Sequence, residues 1–199
     1  MPSFFDPQNI LSTVGYIGLF FVVFAESGIL FGFFFPGDSL LFTAGLMAGT
    51  GTLNILILLL VTPVAAILGD SAGYSFGKWI GPKIFNREDS FFFNKKHISR
   101  AKGFYEKYGP KAIVLARFMP IVRTFVPILA GVGEMKYKTF FTYNIIGGIL
   151  WSVGFTLLGF SLGKTFPQIQ DYIFWAIGII VLASLIPMAI EWWKNRDRN

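Results

Sequence analysis

The sequence predicts an all-α polytopic membrane protein, built as an inverted repeat of a re-entrant hairpin followed by a transmembrane helix, with four full spans and two hairpins. Three observations predict it. Of 199 residues, 54% are hydrophobic and 14% charged, and the apolar runs 12–31, 53–77, 139–163 and 171–193 are each long enough for a bilayer core that takes about 20 helical residues to cross. Charge gathers outside those runs, with more than half of the 17 Lys and Arg residues between Lys78 and Lys111. Two further apolar stretches, 33–50 and 111–133, are broken by proline, and each precedes a long apolar run.

Residues 1–11, with Pro2, Pro7, Phe4 and Phe5, read as an interfacial lead-in. The first basic residue is Lys78, so the opening run lacks the positive flank of a cleavable signal and is expected to stay as the span 12–31. In 33–50, Pro36-Gly37-Asp38 interrupts the run, which restarts at Ser39. Pro36 removes a backbone donor and Gly37 eases the turn, so the stretch reads as a hairpin that enters and leaves on one side. Span 53–77 follows, with Gly69, Gly73 and Gly77 on one face, a spacing that lets helix backbones approach. Such faces allow a homo-oligomer without requiring one.

The positive-inside rule places the basic stretch after Lys78 in the cytoplasm. Within 83–110, an apolar stripe of Ile98, Ala101, Phe104, Tyr105 and Tyr108 runs beside Lys95, Lys96, Arg100, Lys102 and Lys107. This reads as an amphipathic segment that either attracts anionic lipid or packs on the protein's own cytoplasmic face. His97 sits on its polar side. The C-terminal Lys194, Arg196 and Arg198 should share that compartment, yet a full crossing by 111–133 followed by spans 139–163 and 171–193 would put them outside. A second hairpin at 111–133 satisfies both basic clusters, and Pro120 and Pro127 supply the breaks. Both termini are then cytoplasmic.

Internal similarity supports this order. Ala44-Gly45 recurs as Ala130-Gly131, and Gly73-Tyr74-Ser75-Phe76-Gly77-Lys78 recurs as Gly159-Phe160-Ser161-Leu162-Gly163-Lys164, at one constant offset. Lys78 falls inside and Lys164 outside, which makes the copies antiparallel. Inverted repeats of this kind place substrate sites near the membrane midplane, where discontinuous helices meet.

Charge inside the apolar stretches marks the candidate site. Glu26, Asp38, Arg117 and Arg123 each stand where an ionised side chain costs roughly 2.5–3.5 kcal/mol, so they should pair, line a wet cavity or grip a ligand. On one continuous helix Arg117 and Arg123 would be about 9 Å apart along the axis and roughly 120° apart around it; a break at Pro120 can turn them together. Glu26 and Asp38 would be about 18 Å apart without the interruption before Ser39. Two guanidinium forks suit a phosphate monoester better than a neutral solute. The carboxylates cannot bind phosphate while ionised, so they either neutralise the arginines in the empty site or take up protons in turnover. The competing reading is a salt-bridge network that only pins the hairpins. Asp70, within span 53–77, stays open between capping a break or bonding a neighbouring helix and a functional role.

Other chemistries find little support. With no Cys, disulfides and thiolate metal sites are excluded, and the single His97 argues against a zinc cluster. No nucleophile and base are paired, so an embedded lipid enzyme is the weakest reading, behind an ion or small-solute transporter using the same carboxylates. No cofactor or metal is expected. The net charge of +6 belongs to topogenic loops rather than to nucleic-acid binding.

Glu26-Ser27-Gly28, Phe35-Pro36-Gly37-Asp38-Ser39-Leu40, Gly69-Asp70-x-x-Gly73-Tyr74-x-x-Gly77-Lys78 and Arg117-Phe118-x-Pro120-x-x-Arg123-Thr124-x-x-Pro127-x-x-Ala130-Gly131 together resemble the signature of the DedA family of membrane proteins. The resemblance covers roughly residues 15–165. It implies a bacterial inner-membrane protein of lipid handling, with translocation of undecaprenyl phosphate as the expected activity and flipping of phosphatidylethanolamine or another phospholipid as the alternative. It implies Glu26, Asp38, Arg117 and Arg123 as the functional set, the two acids coupling to protons. Thr124 joins the expected substrate-binding residues, Ser39 and Asp70 are further candidates, and Pro36, Gly37, Pro120 and Pro127 shape the hairpins. The expected partners are a lipid phosphate and the bilayer itself.

Overall fold

The computed structural model describes residues 7–29, 37–84 and 107–166, and among these no residue is in a strand. The expected span 171–193, the basic tail, Pro36 and most of the segment 83–110 lie outside the described residues. Six α-helices are delimited among the described residues: α1 Pro7–Gly28, α2 Gly37–Gly49, α3 Ile55–Ile84, α4 Ala112–Ala116, α5 Pro120–Val132 and α6 Tyr137–Thr165, with a 3₁₀ turn Gly109–Lys111 leading into α4. The fold is all-α. Two stretches, Ile55–Trp79 in α3 and Tyr137–Thr165 in α6, are long and apolar enough to cross a membrane.

Both helices carry rows of exposed apolar side chains. Leu56, Leu60, Val64 and Leu68, one per turn of α3, are exposed, as are Ile146, Ile149, Leu150 and Leu158 of α6. Water would penalise each of these side chains, whereas hydrocarbon does not.

Local chemistry fixes the ends. After α2, Gly51 takes a positive φ of 87°, and Thr52 N–H donates to Met47 O at 2.9 Å while Gly51 N–H donates to Ala48 O at 3.1 Å, the paired bonds of a Schellman stop. After α5, Glu134 occupies the same left-handed position with φ 52°, where Met135 N–H donates to Ala130 O at 3.0 Å and Glu134 N–H to Gly131 O at 3.1 Å. Asn54 then starts α3 by accepting the Leu56 N–H on its Oδ1 at 2.9 Å, an N-cap.

The chain divides into two compact units, Met1–Phe35 with Leu59–Gly154 and Pro36–Leu58 with Phe155–Asn199. In the first, Tyr74 of α3, Ile113 and Ala116 of α4, Phe125, Val126 and Ala130 of α5, Met135 of the turn after α5, and Phe140 of α6 form the core. Tyr74 stacks on Phe140 with ring centroids 4.6 Å apart, and its hydroxyl donates to the Met135 carbonyl just beyond α5. Tyr74→Phe keeps the ring and loses that bond, so it is expected to lower stability by about 1 kcal/mol. Unfolding by denaturing detergent would read the loss, and an unchanged transition would contradict the bond's contribution.

Glycine allows backbone contact in both units. In the first, a Cβ on Gly77 would collide with Ile128 O and one on Gly131 with Tyr74 O, standing also 2.8 Å from Lys78 N. In the second, a Cβ on Gly163 would collide with Leu46 O and one on Gly49 with Phe160 O, 2.8 Å from Lys164 N. Phe160 and Lys164 are the residues that repeat Tyr74 and Lys78 in sequence. The contact equivalent of Gly131 is therefore Gly49, one turn beyond the Gly45 that sequence matching selects. Glycines at both Gly45 and Gly49 make that slip invisible in the letters alone.

Candidate functional site

Helix crossings in the first unit set up the site. A Cβ on Gly28 of α1 would stand 2.7 Å from Gly69 O of α3, so the two backbones pass in contact beside Glu26 and Asp70. Opposite them the chain breaks. α4 ends at Ala116, Arg117 to Met119 form a turn, and Met119 is extended at φ −123°, ψ 104°. That is the conformation a following proline requires. Pro120 then opens α5, where its missing N–H leaves no bond unmade. The interruption expected at Pro120 thus falls just before it, and it separates Arg117 from Arg123 onto two elements.

Arg117 meets Asp70 as its carboxylate. Its Nη2 donates to Asp70 Oδ2 at 2.6 Å, to Asn144 Oδ1 at 2.6 Å and to the Ala66 carbonyl at 3.2 Å. Asn144 is itself fixed, its Nδ2 donating to Ile67 O at 2.9 Å and to Ser71 Oγ at 3.3 Å. Arg123 Nη2 donates to Glu26 Oε1 in a second ion pair. All four charged residues are buried: Glu26 1%, Asp70 3%, Arg117 4% and Arg123 9% exposed. At such burial one partner cannot be removed without leaving its counter-charge desolvated.

Both pairs reach one indole. The Trp151 ring centroid lies 5.9 Å from Arg117 Cζ and 5.2 Å from Arg123 Cζ. Arg117 crosses α6 at Gly147 and Gly148: an added Cβ on Gly147 would stand 3.1 Å from Arg117 Cδ, and one on Gly148 3.6 Å from its Nη2. Arg117 Nε is buried with no hydrogen-bond partner among the described residues, a donor that an added acceptor would satisfy.

The remaining candidates are distributed as follows. Thr124 is buried on α5 beside Arg123, and Pro127 is buried inside the same helix. Gly37, Asp38 and Ser39 belong to the second unit, in the first turn of α2, with Gly37 and Ser39 buried and Asp38 half-buried. A carboxylate there complements the positive end of the helix dipole. Sequence reasoning missed Asn144, Gly147, Gly148 and Trp151. Their signal was present, since positions i, i+3, i+4 and i+7 share one helix face and an amide in an apolar span needs a partner. Among the described residues no group of three or more His, Cys, Asp or Glu is arranged to hold a metal.

The VTT domain family matches residues 35–161, a stretch that holds every site residue above except Glu26. The chain belongs to this family, that of DedA. Protein DedA of Escherichia coli K12 is 43% identical over 178 residues, covering 88% of this chain and 81% of that protein. The uncharacterized membrane protein Rv0364 of Mycobacterium tuberculosis H37Rv is 41% identical over 199 residues, 96% of this chain and 87% of its own. The inner membrane protein YqjA of E. coli K12 is 31% identical over 190 residues, covering 92% and 86%. No solved structure matches the chain. With relatives named as membrane proteins and two membrane-length apolar helices of its own, this DedA-family chain is a membrane protein.

Proposed function

We propose that the chain transports a phosphate-bearing lipid across the bacterial inner membrane, with undecaprenyl phosphate, recycled as a carrier, as its cargo. The observation that carries this reading is the pair of buried arginines, each ion-paired and both beside one indole, in a membrane protein whose long helices expose rows of apolar side chains. Guanidiniums match phosphate oxygens in a planar fork, and the lipid tail remains in the bilayer while the head group enters.

In the resting site Asp70 and Glu26 neutralise the arginines. An incoming phosphate displaces a carboxylate, which is then buried without its cation and favours the protonated form. Proton uptake and anion binding are thereby linked, and Glu26, with Asp38 at the head of α2, is the coupling acid. Two re-entrant hairpins in an inverted repeat, four spans and cytoplasmic termini supply the two access states.

Reconstitution tests the reading. Proteoliposomes with the protein should move undecaprenyl phosphate between leaflets, and Arg123→Lys, which keeps the charge but loses the fork, should slow it about tenfold, the equivalent of one charge-assisted hydrogen bond. Undiminished translocation by Arg123→Lys would refute the fork. Movement of phosphatidylethanolamine alone would transfer the reading to phospholipids, and proton or sodium flux in vesicles free of polyprenyl lipid would transfer it to ions.

A further inference from the structure

Trp151 and Asn144 carry no formal charge, yet each touches the charge cluster in a way that packing alone does not require. Two guanidiniums brought to one place repel, and Asp70 and Glu26 offset that repulsion by direct contact with them. An aromatic face attracts cations without competing for their hydrogen-bond donors, and indole does so best. Trp151 offers that face to Arg117 at 5.9 Å and to Arg123 at 5.2 Å.

Asn144 acts seven residues earlier on the same face of α6. Its amide has only one workable orientation, because Nδ2 donates to Ile67 O and Ser71 Oγ, which leaves Oδ1 for Arg117 at 2.6 Å. Turning the amide over would set donor against donor. Between the two, Gly147 and Gly148 leave room for the arginine's stem. The face is a slot that holds Arg117 by contacts independent of Asp70.

We propose that Trp151 and Asn144 are positioning residues of the anion site: the indole holds both guanidiniums, and the amide fixes Arg117, while the lipid phosphate exchanges with the carboxylates. This rests on the transport reading above. It assigns to two uncharged residues the task of keeping two cations together at the moment their counter-ions leave.

The test uses the full chain in lipid nanodiscs, with farnesyl monophosphate as the anionic probe and farnesol as its uncharged control. A variant retaining Trp151 as its single tryptophan (Trp79, Trp175, Trp192 and Trp193→Phe) should change emission with farnesyl monophosphate and not with farnesol. Trp151→Phe should weaken binding of the phosphate about threefold and Trp151→Leu about tenfold, following the strength of the π face, with farnesol binding equal in both. Asn144→Leu should weaken phosphate binding in the same selective way. Equal affinities for Trp151→Phe and Trp151→Leu, or identical emission with the two probes, would overturn the positioning role. Should Trp151→Leu fail to fold, Trp151→Phe and the emission change still decide. Absence of farnesyl monophosphate binding by the unaltered chain would instead strike the transport reading, and this inference with it.

Discussion

Arg117→Met is expected to leave the protein about 3–5 kcal/mol less stable, because Asp70 would remain buried as a carboxylate with its cation gone. The prediction follows from geometry: Arg117 Nη2 lies 2.6 Å from Asp70 Oδ2, and both side chains are at most 5% exposed. Asp70→Leu alone should destabilise comparably, stranding a guanidinium. The double variant should recover most of the lost stability, since apolar residues in place of a buried ion pair are often neutral or better. Transport should not recover with it. A double variant that folds and still moves lipid phosphate at the original rate would establish the pair as a structural pin and nothing more. The cycle, read by unfolding in detergent and by translocation in vesicles, thus separates the two roles the sequence left open for these charges.

How far the site could be read from the sequence depended on how abnormal each residue is in its setting. Glu26, Arg117, Arg123 and Asp70 stand out because ionised groups in apolar runs are costly, and a string of letters displays that cost directly. Which acid meets which arginine is another matter. It depends on the rotational phase of α1 and α3 where Gly28 and Gly69 touch, and on a chain break whose position is set by the residue before proline, one place earlier than the proline itself. The sequence pointed to Glu26 and Asp38 as partners for the arginines; Glu26 meets Arg123, and Asp70, whose role the sequence left open, meets Arg117. Asn144 and Trp151 were passed over for another reason: an amide in an apolar span shows that it needs a partner but not which one, and the importance of both residues comes from what lies across from them.

The fold shows the same division. Apolar length announced α3 and α6, and the Pro120 break announced the separation of α4 from α5. Both copies of the sequence repeat make glycine-to-backbone contacts. The register of the duplication was not announced, because in α2 two glycines one turn apart compete for the role that Gly131 has in α5.

Gly131→Ala is expected to be among the most damaging small substitutions at the described glycines. The added methyl would collide with the Tyr74 carbonyl and stand 2.8 Å from Lys78 N, and both are backbone atoms of a long helix that cannot swing aside as a side-chain tip would. Overpacking a well-filled core ordinarily costs about 1–3 kcal/mol; here the only relief is to move α5 away from α3, so the loss should reach or exceed the top of that range. Gly154→Ala is the control, since nothing lies within 4 Å of the position its methyl would take. In the middle of α6 that change should be neutral or stabilising by up to about 1 kcal/mol, through helix propensity alone. Thermal unfolding of the two variants in detergent should place them on opposite sides of the unaltered protein, or Gly154→Ala level with it. If Gly131→Ala were as stable as Gly154→Ala, the close approach of α3 and α5 would be wrong. The same helix carries Arg123, two turns before Gly131, so displacing α5 also draws Arg123 from Glu26 and from the Trp151 ring. Translocation by Gly131→Ala should therefore fall even at temperatures where the variant remains folded, because glycine at this crossing sets the position of the arginine as well as the packing of the helices.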